Sequence, residues 1–396
     1  MTSLLSIEEA LARVLARARP LEAEPVPVDE AAGRVLAADV AARVDLPPFS
    51  SSAMDGYAIR AADVPGRLPV AARVAAGVPA ERPLAAGEAM EISTGGAVPE
   101  GADSVVPIEV VVVVGNSIEV EHPVDAGAHV RPPGGDVKAG DALLAAGTRL
   151  GAAQVGALAA AGWASVPCGR RPRVAVLSTG TELRQPGEAL GPGQIYESNR
   201  PMLAAALGAA GARVEAIAPV DDDEESHRVA LAQGLECDVL VSSGGVSVGP
   251  HDLVRRVLAA LGVEEDFWGV AVRPGKPLAF GTRGRTLVFG LPGNPVSALV
   301  GFELFVRPAL LALQGAARPG PRYEHGRLVS PLRRRAERDD LARARLLPDA
   351  DAALLEPVAG QESHMIVRAA GADALVLVPR GEGELAAGAN VRYLRI

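Results

Sequence analysis

The chain reads as a multidomain α/β protein in which one α/β unit, built on a largely parallel sheet, stands between β-rich regions. Between residues 172 and 314, short apolar runs alternate with helix-compatible stretches, the pattern of a parallel sheet covered by helices on both faces. From about residue 58 to 133, and again over 322–396, the pattern changes to short β runs separated by Pro/Gly turns. The length of 396 residues suggests two to four domains. With 48% of residues hydrophobic, the chain can bury a packed core.

Taken in order, residues 6–18 open with the capping pair Ser6 and Glu9, and Ile7, Leu11, Val14 and Leu15 share one helix face. Pro20, Pro25 and Pro27 end that helix, and residues 29–38 fit a second one. Pro47 and Pro48 exclude helix at the entry to a serine-rich loop that runs into Asp55-Gly56. Taken alone, that acid and glycine read as a turn. Strands are expected at 68–75, 89–93 and 104–107, and a hairpin joins 108–114 to 118–120 around Gly115-Asn116. The stretch 92–96, ISTGG, ends a strand with Thr94 and two glycines; alone it too reads as a β-turn. The Gly/Pro-rich segment 130–141, carrying Arg131, Asp136 and Lys138, is placed as a domain crossing. Residues 143–161 return to helix-compatible sequence. In the α/β unit, strands at 174–177, 213–217, 239–241, 270–272 and 286–289 alternate with helices at 201–210, 224–235, 253–261 and 295–313. Over 322–396, strands at 374–379 and 391–394, with turns at Gly371 and Gly381–Gly383, indicate a small barrel or open sheet.

Charge and cysteine usage narrow the function. A net charge of −9 and a pI near 5.3 argue against nonspecific nucleic-acid binding, which needs a basic footprint. Cys168 and Cys237 lie far apart with no metal-ligand spacing, and read as reduced core thiols of a cytoplasmic protein. The N-terminus carries Glu8 and Glu9 and no cleavage motif, unlike a signal peptide. No apolar run is expected to reach the ~20 residues of a membrane helix. Lys138 and Lys276 are the only lysines. In a chain so biased to arginine, two retained lysines point to sites that need a compact ammonium, or to a coding bias that spared two neutral positions.

The chemistry collects where parallel-sheet proteins bind ligands, beyond the carboxyl ends of the strands. Strand 239–241 runs into Ser242, Ser243, Gly244, Gly245, Ser247 and Gly249, then a helix. Such a Gly/Ser loop at a helix N-terminus makes an anion pocket as readily as a plain tight turn. On the same rim lie Ser178, Thr179, Gly180 and Glu182; Asp221; Asp252; Arg273 and Lys276; and the run Pro292, Asn294, Pro295 and Ser297. Glu182, Asp221 and Asp252 could be three structural acids. Beside an anion pocket, however, converging carboxylates suit Mg²⁺, which takes few protein oxygens plus substrate oxygens and water. The charge run containing Arg338 and Arg343 reads as a solvated face unless the fold carries it to the cleft.

Together SSAMDGYA, ISTGG, VRPPGGD, STGTEL, SSGGVSVG, RPGKP, GLPGNPVS and GQESH, in this order along the whole chain, resemble the molybdopterin molybdenumtransferase family (MoeA, and the E domain of gephyrin in animals). The resemblance implies a segmented α+β N-terminal domain (1–50 and 136–170), a β-rich insert (51–135), a MogA-like doubly wound molybdopterin-binding domain (171–317) and a C-terminal β-barrel (318–396). It implies an elongated homodimer whose cleft lies between the α/β domain of one subunit and the insert of the other. The reaction implied is Mg²⁺-dependent insertion of molybdate into adenylyl-molybdopterin with release of AMP. The implied partners are the molybdopterin adenylyltransferase and downstream cofactor carriers, with no nucleic acid and no membrane.

Carried over position by position, Asp55, Thr94 and Asp136 would be the partner subunit's contribution. Glu182, Asp221 and Asp252 would handle Mg²⁺ and phosphates. Ser178, Thr179, Gly180, the Ser242–Gly249 loop, Pro292, Asn294 and Pro295 would bind the pterin phosphate side. Arg273, Lys276, Ser297, Arg338 and Ser363 would gather the oxyanion. The chain departs from the family pattern at Gly269 and Arg273, where many members carry lysine. An adenylyltransferase, a non-catalytic scaffold and a related pterin- or nucleotide-processing hydrolase are the competing readings. The flanking domains argue against the first and third, and the lack of a long linker or fused domain against the second.

Overall fold

The computed structural model describes residues 4–216, 223–245, 253–348 and 353–396. Its centre is a six-stranded sheet in the order Arg213–Ala216, Arg173–Ser178, Val239–Ser243, Thr286–Leu291, Ala279–Arg283, Glu264–Trp268. The first four strands run parallel and the last two join antiparallel. Because side chains alternate along a strand, Val174, Val176, Val239 and Val241 enter one core with helices Ile7–Arg17 and Asn199–Ala209 and the helical run 295–313. Ala175, Leu177, Leu240 and Val288 enter a second core with helices Glu224–Gly234 and Leu253–Ala260. The sheet is thus covered on both faces, as the alternation of strands and helices predicts.

Two expectations for this unit are corrected. Residues 270–272 do not join the parallel sheet; Val272–Arg273 pairs instead with Asp339–Asp340 in the C-terminal region. Strands Glu264–Trp268 and Ala279–Arg283 escaped the sequence reading, because one begins with three acids and the other is interrupted by a glycine. Gly281 is required there, since a Cβ would lie 2.6 Å from the Glu264 carbonyl oxygen.

The helical run 295–313 is 19 residues long with mean hydropathy 1.8, and so is apolar and long enough to cross a membrane, contrary to expectation. Some 78% of it is buried inside the protein, which makes it a core helix here. Pro308, which lacks an N–H, is absorbed by a π turn at Phe302–Val306, where the Arg307 N–H bonds Phe302 O.

Before the insert and after it, the chain forms one interlocked body. Strand Ala23–Pro27 pairs with Ser165–Gly169, and Val40–Ala41 with Ala142–Leu144. Val26, Leu36, Leu150, Leu158 and Cys168 close its core. The helix expected at 29–38 is not formed. Gly33 sits at φ +78° and Val35 and Leu36 bridge in extended conformation to Arg149 and Cys168. The helix expected over 143–161 is confined to Ala152–Ala160. The insert is a six-stranded sheet in the order Ser104–Pro107, Gly56–Ile59, Ala89–Ile92, Gly66–Val74, Ser117–Val120, Val112–Val114, and includes the expected hairpin. Gly56 is a strand residue, not a turn residue. Its Cβ would lie 2.0 Å from Val106 O, so only glycine lets the strands approach.

In the C-terminal region, Asp339–Leu347, Leu354–Pro357, Glu324–Leu328, Asn390–Arg395 and Ala374–Val378 pair in a ring that returns to Asp339–Leu347, a closed five-strand barrel. Leu341, Leu375, Leu377 and Leu394 share the core of the central sheet. The barrel is therefore fused to the α/β unit through apolar packing, which fixes its loops relative to the strand ends.

Candidate functional site

The carboxyl ends of the parallel strands open into a cleft of about 570 Å³. Its described walls come from three strand-end loops and three helices, with Ile195 and Pro277. Strand Arg173–Ser178 delivers Ser178, Thr179, Gly180 and Glu182; strand Val239–Ser243 delivers Ser243, Gly244 and Gly245; strand Thr286–Leu291 delivers Pro292, Gly293 and Asn294. Ser242 is not among them. Strand alternation turns it, fully buried, to the opposite face, into an apolar cavity with Phe280 and Val288. Asp221, Ser247, Gly249 and Asp252 lie outside the described residues.

The loops are held to one another by backbone bonds. Thr179 N–H donates to Ser243 O at 3.1 Å, and Gly244 N–H to Leu291 O at 3.0 Å. The Gly244 N–H is thus committed to the scaffold rather than to a ligand. Gly244 and Gly245 both have positive φ, +90° and +65°, and a Cβ on Gly244 would lie 2.8 Å from Thr179 O. Glycine is needed here for both reasons. The Ser178 hydroxyl is buried in the wall with no hydrogen-bond partner. The exposed Glu182 carboxylate curls back over Gly180, where a Cβ would meet its Oε2 at 2.5 Å.

The barrel reaches the rim of this cleft. Asn294 Nδ2 donates to Ser363 Oγ at 2.9 Å, and Val296 N–H donates to Ser363 O at 3.0 Å. Ser363 therefore stands at the start of helix Pro295–Gly301, whose buried Ser297 packs beneath Gly275 of the Arg273–Pro277 loop. Pro277 lines the cleft, and Lys276 beside it is exposed with no described ion-pair partner. Arg273 Nη1 donates to Asp340 Oδ2 at 2.8 Å, which anchors it to the barrel strand. Burial pushes the Asp340 carboxyl above its ordinary range, against the opposing pull of Arg273. Arg338 is half-buried and enters the barrel strand at Asp339 with no ion pair among the described residues.

Sequence reasoning missed two residues here, Asn199 and His227, and misread a third: Arg343, placed on a solvated face, is fully buried. Asn199, buried at the N-terminus of its helix, donates through Nδ2 to Ser243 Oγ at 2.8 Å and Gly293 O at 2.7 Å, tying two cleft loops together. Its Oδ1 is buried without a partner. Arg343 is fully buried in the barrel; its Nη2 donates to Gly360 O at 2.6 Å and its Nε and Nη1 have no partner. It holds the loop that carries Ser363, and burial lowers its proton affinity. The only signal was a strand pattern, DDLARARLL, that puts an arginine at an inward position. His227, one of six histidines, also lines the cleft.

The insert residues stand apart. Asp55 Oδ1 accepts a hydrogen bond from Thr94 N–H at 2.7 Å, so these two are neighbours. Asp136 is exposed on its loop, with its N–H donating to Leu46 O. None of the three lines the cleft of the same chain among the described residues. The described residues contain no group of three His, Cys, Asp or Glu side chains that could hold a metal. Glu182 with nearby hydroxyls is a hard-oxygen donor set of the kind that suits Mg²⁺ sharing its shell with substrate.

These features define a multidomain α/β protein with a cleft of glycines and hydroxyls at the carboxyl edge of its sheet. Residues 5–162 match the MoeA N-terminal region (domain I and II), residues 175–312 a probable molybdopterin binding domain, and residues 325–396 the MoeA C-terminal region (domain IV). The chain is 38% identical over 407 residues to molybdopterin molybdenumtransferase 2 of Mycobacterium tuberculosis, covering 99% of each chain. It is 40% identical over 335 residues to the molybdopterin molybdenumtransferase of Synechococcus elongatus, covering 80% of this chain and 82% of that one. The crystal structure of the molybdopterin biosynthesis MoeA protein from Pyrococcus horikoshii OT3 superposes with a TM-score of 0.84 at 29% identity, covering 100% of both chains. The chain belongs to the molybdopterin molybdenumtransferase (MoeA) family.

Proposed function

We propose that this chain catalyses Mg²⁺-dependent insertion of molybdate into adenylyl-molybdopterin, releasing AMP and giving the molybdenum form of the cofactor. The observation that carries this reading is the Asn294–Ser363 hydrogen bond, because it sets a barrel serine at the mouth of the Gly/Ser cleft. A phosphate-binding cleft and a second, hydroxyl- and cation-bearing rim thus meet at one place. In this reading the cleft hydroxyls of Ser178, Thr179 and Ser243 and the Gly245 N–H hold the phosphate side of the pterin. Lys276, Arg338, Ser297 and Ser363 gather molybdate, and Arg273, already paired with Asp340, contributes a fixed positive edge. Glu182, with Asp221 and Asp252, would hold Mg²⁺, whose charge would neutralise the phosphate linkage. An oxygen of water, or of molybdate with hydrolysis following, attacks the adenylyl phosphorus. Its bond to the bridging oxygen breaks, molybdopterin phosphate is the leaving group and AMP is set free. Two Mo–S bonds form from the two dithiolene thiols as one molybdate oxygen departs as water, and molybdenum stays Mo(VI). Positioning and charge neutralisation supply the rate, without a protein nucleophile.

The same reading places the chain in a homodimer, with Asp55, Thr94 and Asp136 completing the cleft of the other subunit. It takes its substrate from the molybdopterin adenylyltransferase and passes its product to cofactor carriers. A cytoplasmic setting is supported by the two buried free thiols. The test is to incubate the purified protein with adenylyl-molybdopterin, molybdate and Mg²⁺, and to follow AMP release and activation of a cofactor-free molybdoenzyme. Glu182→Gln is expected to slow molybdate-dependent AMP release by about 10²-fold. Release at the parent rate would remove Glu182 from the scheme, and no molybdate-dependent release by the parent would remove the scheme itself.

A further inference from the structure

We propose that His227 touches the ligand of this cleft directly, accepting through Nε2 a hydrogen bond from an N–H or O–H group on the ligand's organic part. The inference rests on the molybdopterin reading and deepens it, by assigning a residue that reads the ring rather than the phosphate. His227 lies in the first turn of helix Glu224–Gly234 and is only 1% exposed, yet it forms part of the cleft wall. Its Nδ1 lies 2.9 Å from the backbone oxygen of Asp223. A carbonyl can only accept, so Nδ1 carries a proton, and in the uncharged tautomer that this contact selects Nε2 is an acceptor. No hydrogen bond joins Nε2 to another described residue.

The surroundings favour an acceptor that meets the organic part of a ligand. Leu253 and Val254 are the cleft residues that the following helix contributes, and both are apolar. Asp223 has turned its carboxylate to the Ser226 N–H at 2.9 Å, capping its own helix. Glu182 is the one described carboxylate in the cleft wall. The phosphate-facing groups, by contrast, are hydroxyls and the Gly245 N–H, all able to donate. A phosphate dianion offers no proton to Nε2, whereas the edge of a pterin ring carries N–H donors. One buried acceptor therefore separates a pterin from a bare anion, since the group is left unpaired by the wrong ligand.

Two substitutions separate ligand contact from helix capping. His227→Asn keeps a donor near the Nδ1 position and deletes Nε2; His227→Gln reaches the Nε2 position with an amide oxygen and gives up the Asp223 contact. Binding of molybdopterin to the full-length protein is measured anaerobically by fluorescence, with inorganic phosphate as a competitor. H227N is expected to weaken molybdopterin about 10-fold while phosphate competition is unchanged, and H227Q to stay within about 3-fold of the parent. Unchanged molybdopterin binding by H227N, with loss confined to H227Q, overturns the contact and leaves a helix cap. Equal weakening of phosphate and molybdopterin by H227N overturns it in favour of a cationic ring donating to phosphate. A parent protein that does not bind molybdopterin overturns the reading of the cleft along with the contact.

Discussion

Asn199 shows how much of the cleft depends on a residue that has no chemistry of its own to perform. Its amide donates to Ser243 Oγ and to Gly293 O, partners 44 and 94 residues away in sequence. Asn199→Ala removes both donors and unties the Gly293 loop from the Ser243 loop. The expected cost is about 1–3 kcal/mol, from one buried and one part-buried hydrogen bond, read as a lower urea midpoint. Asn199→Asp keeps the shape but places a carboxylate where an anion must bind. It is expected to weaken phosphate and molybdopterin binding by more than Asn199→Ala does, measured by the same fluorescence titration. A reversed order would mean that loop spacing, not charge, governs the cleft. Nothing local in the sequence marks Asn199, because an asparagine at the start of an apolar helix reads as a cap. Gly244 and Gly245 were legible, because a glycine pair after a buried strand has few other uses.

At the scale of elements, Asp238 joins the start of strand Val239–Ser243 to the chain entering the α/β unit. Its carboxylate takes a bidentate pair from Arg170 at 2.9 Å and the Arg173 N–H at 2.7 Å. Burial pushes the Asp238 carboxyl up, but the Arg170 and Arg173 contacts prevail and hold it below the usual carboxylate range. A depressed carboxyl contributes stability that is present above its unfolded value, near about 4, and is lost as pH falls through the folded value. Asp238→Asn is therefore expected to lower stability at pH ~7 by about 2 kcal/mol, with the deficit shrinking below pH ~4, followed by urea denaturation across that range. A deficit that stays constant to pH ~3 would assign the loss to packing. Most elements of this unit could be read from sequence, because a buried parallel strand such as Val239–Ser243 begins with a continuous apolar run, Val239–Val241. Where reading failed, the sheet was decided by distant partners. Val272–Arg273 looks like any other buried strand, and only the barrel edge at Asp339–Asp340 determines which sheet it joins. Residues 29–38 have a helix former's composition, but Gly33 and the bridges of Val35 and Leu36 commit them to extended structure.

Over the whole molecule, the separation of two groups of residues is the feature with the most consequence. Asp55 and Thr94 are locked together on the insert, and the cleft is walled by the α/β unit, yet no insert residue lines that cleft in the same chain among the described residues. Sequence motifs marked both groups as functional, because motif identity survives without geometry. Residue pattern alone could not say that the two groups lie on different bodies of one chain; only the family resemblance implied it, by giving Asp55, Thr94 and Asp136 to the partner subunit. If the cleft is completed by the insert of a second copy, in a closed twofold pair, then Asp55→Asn and Glu182→Gln damage different halves of one composite site. Each variant alone leaves both sites of a homodimer defective. Unfolding and refolding an equal mixture distributes the chains at random, so about half of the dimers are mixed. In each mixed dimer one site combines both lesions and the other combines an intact insert with an intact cleft. The refolded mixture should therefore recover about a quarter of the parent rate of molybdate-dependent AMP release, while either variant refolded alone stays at its own low rate, about 10²-fold down for Glu182→Gln. Recovery that stays at the level of the separate variants would mean that Asp55 and Glu182 serve the same chain, or that Asp55 serves only the insert's own fold. A sedimentation measurement of the same samples distinguishes these outcomes from a simple failure to dimerise.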